Sequence, residues 1–93
     1  MYFVYIIYSK LLNRFYIGST ANVEERLKEH NTSKYQQSFT RLAGDWELFF
    51  VLTCSNISQG RRIEQHIKMM KSRKYIENLK KYPELAKELL NRF

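Results

Sequence analysis

The spacing of apolar positions changes along the chain, and each change marks an element. Residues 2–8 (YFVYIIY) form an unbroken aromatic and β-branched run, which predicts a strand buried on both faces or nearly so. Ser9 to Asn13 is polar and turn-prone with two leucines inside it. Residues 14–19 (RFYIGS) resume strand character, so the pair predicts a β-hairpin with a longer loop. Gly18 is expected to break that second strand, offering either a positive φ or room for another group to approach. The spacing then turns helical. Asn22 as N-cap, with Glu25 three residues on, predicts a helix over about 23–31. Val23 and Leu27 would form its apolar stripe, and Glu24, Glu25, Lys28 and Glu29 its wet side.

Residues 31–44 are polar and loop-like, with room for one helical turn and with Tyr35, Phe39 and Leu42 as anchors. Residues 46–54 (WELFFVLTC) predict the third strand. Asn56 or Ser58 is expected to cap a helix of about 58–72, with Ile63, Ile67 and Met70 as an i, i+4, i+7 core stripe. After a break near Ser72, residues 73–81 continue helically. Pro83 then opens a last helix over 83–91 whose Leu85, Leu89 and Leu90 face inward. The expected architecture is ββαβααα: an α+β fold with a small, mostly antiparallel three-stranded sheet covered by helices.

Composition agrees with one compact domain over residues 1–93. Three glycines and one proline leave no flexible linker, and no repeat interrupts the chain. No segment nears the roughly 20 apolar residues of a membrane helix, and the first run starts at Met1 without a basic lead-in, so neither a span nor a signal peptide is expected. The single cysteine, Cys54, excludes an internal disulfide and fits a reducing cytoplasm; its place at the end of a strand predicts a buried small hydrophobe.

Charge changes the picture more. The formal net charge is +7, and residues 61–81 carry eight basic side chains against Glu64 and Glu77. Such a concentrated positive field favours polyanions, although a solvated helix face that aids solubility explains it equally well. The last helix has near-balanced charge and reads as a docked core helix or dimer contact, not as a membrane binder.

Once packing has explained what it can, five reactive groups remain: Tyr5, Tyr16, Arg26, His30 and Glu64. Each has a plain explanation alone. The tyrosines can belong to the core, Arg26 can pair with Asn22 or Glu29, His30 can close a helix end, and Glu64 can pair with Lys68 at i, i+4. Together they suit phosphodiester cleavage, which needs charge neutralisation, a base for water and a donor near the scissile oxygen. A lone carboxylate in a basic field is a plausible ligand for one Mg²⁺, which keeps most of its waters. Arg26 can grip a phosphate bidentately. A phenol with pKa near 10 is an ordinary base only beside a cation that makes its phenolate accessible.

Tyr5 in FVYII, YIG at 16–18, STANVEERLKEHN and RRIEQHIK around Glu64 together resemble the GIY-YIG endonuclease superfamily, above all its small stand-alone bacterial members. The resemblance covers roughly residues 2–75, leaving about 76–93 as a C-terminal helical extension. It implies that Tyr5, Tyr16, Arg26, His30 and Glu64 form the active centre, with Glu64 holding one Mg²⁺ or Mn²⁺ and Arg26 stabilising the transition state. Tyr16, Tyr5 or His30 would act on the attacking water. Gly18, Arg14, Arg61, Arg62, Lys68, Lys71, Arg73 and Lys74 are the expected nucleic-acid contacts, on DNA or RNA. Phe3 replaces the opening glycine of the first motif, and Asn78 lies where larger members carry a further asparagine. With no appended DNA-binding module, target choice would depend on a protein partner or be weak, in a monomer or weak homodimer. The alternative is a nucleic-acid-binding module of the same fold without useful catalysis.

Overall fold

The computed structural model describes residues 1–32 and 42–93; the expected loop anchors Tyr35 and Phe39 lie outside the described residues. The elements are β1 (Tyr2–Ser9), β2 (Arg14–Thr20), α1 (Val23–Asn31), β3 (Glu47–Cys54), α2 (Ile57–Met70), α3 (Arg73–Lys81) and α4 (Pro83–Arg92). The sheet order is β2-β1-β3 with both pairs antiparallel, so the fold is α+β as expected.

The most apolar strand takes the centre. Val4, Tyr5, Ile6 and Ile7 are all buried, because β1 has a neighbouring strand on each edge and packed side chains on each face. Alternation along β1 divides the interior in two. Val4 and Ile6 join Leu52, Cys54, Ile63, Ile67, Ile76, Leu79 and Leu89 in the larger core, under α2, α3 and α4. Tyr5 and Ile7 join Ala43 and Trp46 in the smaller one, where Val23 and Leu27 of α1 pack. Full burial of an isoleucine such as Ile63 contributes roughly 1.5–3 kcal/mol, so the α2 face supplies most of the cohesion. Cys54 belongs to that face, and burial pushes its thiol pKa up, in keeping with a packing role.

Three local expectations are corrected. Gly18 does not break the second strand: β2 continues to Thr20, and no glycine among the described residues has a positive φ. Met70 leaves the core stripe and is 44% exposed. The chain turns away at Lys71, so Ile76 from α3 joins Ile63 and Ile67 in the core in its place. Leu42 is not a buried anchor; it is 60% exposed. Asn56, not Ser58, caps α2 by accepting from the Gln59 backbone N–H at 2.8 Å. Ser72 ends one helix run and caps the next, accepting from Tyr75 N–H at 3.0 Å.

The hairpin loop is pinned from outside itself. Asp45, just before β3, accepts from Ser9 Oγ at 2.6 Å and from Leu11 N–H at 2.9 Å, and these bonds hold its carboxyl below the usual range. The last helix docks onto α2, where Gln59 Nε2 donates to the Leu90 carbonyl at 3.0 Å. No helix among the described residues is long and apolar enough to cross a membrane.

Candidate active site

On the α1 face, the site begins with strand register. Tyr5 lies opposite Gly18, and a Cβ on Gly18 would fall 2.5 Å from Tyr5 Oη. The glycine therefore exists to admit the Tyr5 ring across its backbone. Because Asn22 starts α1 two residues after β2 ends, its last turn passes back over β1 and delivers His30. Tyr5 Oη and His30 Nε2 share a buried hydrogen bond of 2.8 Å. Tyr16 adds a third ring, its centroid 4.9 Å from that of His30.

Arg26 lies one turn before His30. It is half-exposed, with Nε 3.5 Å from Glu29 Oε1, and it lines a small polar cleft with Thr20, Asn22 and Glu25. Burial, reinforced by the Arg26 charge and opposed by Glu29, lowers the His30 pKa from 6.5 to about 4. The imidazole is therefore neutral at pH 7.

Glu64 arrives from the other side. Ser19 alternates with Gly18 along β2 and so faces α2, where its hydroxyl donates a short hydrogen bond to Glu64 Oε1. Lys68 Nζ lies 2.7 Å from the other carboxylate oxygen, the i, i+4 pair the spacing allowed. Tyr2 Oη is 3.1 Å from Ser19 Oγ, and Gly60 lets α2 press close there, since a Cβ on it would meet the Tyr2 ring at 2.5 Å.

The structure thus gathers Tyr5, Tyr16, His30 and Arg26 on one face of the sheet. Glu64 reaches the same strand, one residue past Gly18, from the opposite face. Both groups adjoin β2, an edge strand of the sheet, from its two faces. Ser19 and Tyr2 were missed in the sequence, where the only signal was a hydroxyl directly after YIG.

The expected nucleic-acid contacts divide. Gly18 is buried, with the Tyr5 ring packed against its backbone. Arg73 is committed to the hairpin: it donates to the Asn13 carbonyl at 2.8 Å and to Oδ1 at 3.0 Å, and lies over the Phe15 ring. Arg14, Lys68, Lys71 and Arg73 border one groove, whereas Arg61 and Arg62 lie against Arg92 and Phe93 in another depression. Lys74 is exposed.

A divalent cation finds one carboxylate here. Among the described residues no three His, Cys, Asp or Glu side chains come together. Glu64, with the Ser19 and Tyr2 hydroxyls beside it, is a hard oxygen set carrying one negative charge, which fits Mg²⁺ or Mn²⁺ with most waters retained. The Lys68 ammonium shares that carboxylate and would have to give way.

An α+β domain with helices on both faces of its sheet and this cluster beside the edge strand β2 has a counterpart among known proteins. The GIY-YIG catalytic domain model matches residues 1–81, and the chain belongs to this family of nucleases, which act on nucleic acid with divalent metal ions. It is also similar to a UPF0213 protein of Syntrophus aciditrophicus (strain SB), 32% identical over 69 residues that make up 74% of this chain and 79% of that protein. No solved structure matches.

Proposed function

We propose that this protein is a metal-dependent endonuclease that hydrolyses phosphodiester bonds in DNA, directed by DNA structure or by weak sequence preference, in repair, recombination or processing. The observation that carries the reading is that the Tyr5–His30–Tyr16 cluster lies at Tyr16 and Gly18 on one face of the edge strand β2, while Glu64 bonds Ser19, the next residue of that strand, on the other. Glu64 is the metal ligand. When bound, the divalent ion supplies Lewis-acid neutralisation of the charge that builds on the phosphate.

The chain's own groups divide the remaining work. Arg26, half-exposed beside an open cleft, binds the non-bridging phosphate oxygens through its planar fork. Tyr5 and His30 are 1% and 2% exposed, so neither meets bulk water; they act as positioning residues. A histidine held neutral down to about pH 4 is also a weak base. Tyr16 is the part-exposed member of the three; having given its own proton to solvent, its phenolate takes the proton of the attacking water as the P–O bond to the leaving group breaks and that oxygen is protonated from solvent.

The test is cleavage of linear, nicked, flapped and four-way-junction DNAs, with RNA as a further arm, in Mn²⁺. Wild type should nick at least one substrate, and Glu64→Gln should lower the rate by roughly 10²–10³-fold, the size of losing one preorganised charge-stabilising group. Calorimetric Mn²⁺ binding should disappear in the same variant. Unchanged cleavage would point to another ligand or to a contaminating enzyme. The alternative, a binding module without catalysis, draws on the Lys68 pair that occupies Glu64; it predicts unaltered nucleic-acid binding and no cutting in either protein.

A further inference from the structure

Between β2 and the elbow where α2 passes into α3 lies a groove of ≈ 620 Å³. Its border carries four cations, Arg14, Lys68, Lys71 and Arg73, and no acidic residue lines it. Its floor is apolar, with Phe15 and Ile17 from the strand facing Ile67 from the helix. We propose that this groove takes the sugar–phosphate backbone of one nucleic-acid strand and leads it to Glu64.

The direction follows from two contacts. Lys68 belongs both to the groove and to Glu64, whose oxygen is 2.7 Å from its Nζ. Ile17 in the floor and Ser19, the hydroxyl partner of Glu64, are two residues apart on one face of β2, about 7 Å along the strand. The groove therefore ends at the carboxylate. Its charges are also available. Arg14 and Lys71 are exposed and pair with no carboxylate among the described residues, whereas Arg73 is held in place by Asn13 and contributes a fixed positive charge.

The apolar floor selects the form of the strand. A duplex presents phosphates outward and keeps its bases stacked inside, so Phe15 and Ile17 would gain little from it. A single strand or flap exposes sugar and base faces as well as phosphates, and a basic channel in which the Arg73 guanidinium lies on the Phe15 ring beside Ile17 meets both, a guanidinium plane being a surface on which a base can stack. The depression formed by Arg61, Arg62, Arg92 and Phe93 is also basic, with three arginines, yet its lining shares no residue with this groove. The end point of the groove rests on the nuclease reading of Glu64; its strand-binding role does not.

The experiment is fluorescence anisotropy with a short labelled oligonucleotide, single-stranded or as a blunt duplex, in EDTA so that nothing is cut. Two double variants remove equal charge: Arg14→Gln with Lys71→Gln, and Arg61→Gln with Arg62→Gln. The first pair should weaken single-strand binding about tenfold or more and flatten the slope of log K against log salt by about 1.4, the loss of two phosphate contacts at about 0.7 each. The second pair should leave that slope unchanged, and thermal unfolding should show both variants folded. Equal losses from the two pairs would mean that net charge alone binds, and would overturn the proposal. So would duplex binding as tight as single-strand binding, or poly-glutamate competing as well as the oligonucleotide. Restoring Mn²⁺ separates the two readings: groove-dependent binding without cutting defeats the enzyme and keeps the groove, while full binding and cutting in the first variant defeats the groove and keeps the enzyme.

Discussion

Gly18 and His30 hold the two ends of the Tyr5 phenol, one by lacking a Cβ and the other by a 2.8 Å hydrogen bond. Their spacings were visible in the chain as YIG and as Arg26 followed by His30 at i, i+4. The pairing was not, because only strand register places Gly18 opposite Tyr5, and register is a non-local property. His30 has a measurable consequence. Its folded pKa is about 4 against an ordinary 6.5, so between those values the unfolded chain binds a proton that the folded one refuses. Stability from this residue is complete above pH 6.5 and is lost as pH falls toward 4. The difference corresponds to about 3 kcal/mol at most. Urea unfolding across pH 7 to 4 should show that decline in wild type and a shallower one in His30→Gln, which keeps a polar group near Tyr5 but cannot charge. Identical slopes would show that His30 is not buried neutral.

At the scale of elements, the strands and helices were legible almost to the residue, because hydrophobic period and capping residues agree throughout. Asn22, Asn56 and Ser72 each cap the helix they precede. The ends were less legible. The i, i+4, i+7 stripe counted Met70 inward, but α2 stops there and Lys71 adopts a left-handed conformation, φ 47° and ψ 43°. No residue in the sequence announces this, since glycine or asparagine is the usual choice. A lysine held left-handed carries strain of about 1 kcal/mol that glycine avoids, and the elbow keeps it beside the basic groove. Lys71→Gly should therefore raise the unfolding free energy by about 0.5–1 kcal/mol while weakening single-strand binding. Calorimetric Tm and anisotropy read the two effects separately. A variant that loses both would place the lysine in the fold and not in recognition.

For the molecule as a whole, the long-range link is the one that local patterns could not supply. Glu64 meets Ser19 across 45 residues of chain, and it meets it on the far side of the sheet from the tyrosines. Its surroundings also oppose a dication: the chain carries a net charge of +7, and an ammonium already lies 2.7 Å from one carboxylate oxygen. Metal entry must displace Lys68 against that field, whereas a nucleic-acid strand in the groove offers Lys68 a second anion and neutralises its neighbours. Metal and strand should then bind cooperatively, and linkage makes the coupling reciprocal, of the order of tenfold. Electron paramagnetic resonance of free Mn²⁺, with Tyr16→Phe to suppress cutting and with ions held by the oligonucleotide alone subtracted, measures one side. Anisotropy with and without Mn²⁺ measures the other, and the two factors should agree. Lys68→Ala should tighten Mn²⁺ binding in the absence of nucleic acid and shrink the coupling, because the competing ammonium is gone. Mn²⁺ affinity that ignores both the strand and the Lys68 change would mean that the ion binds away from Glu64, and the edge-strand site would lose its metal.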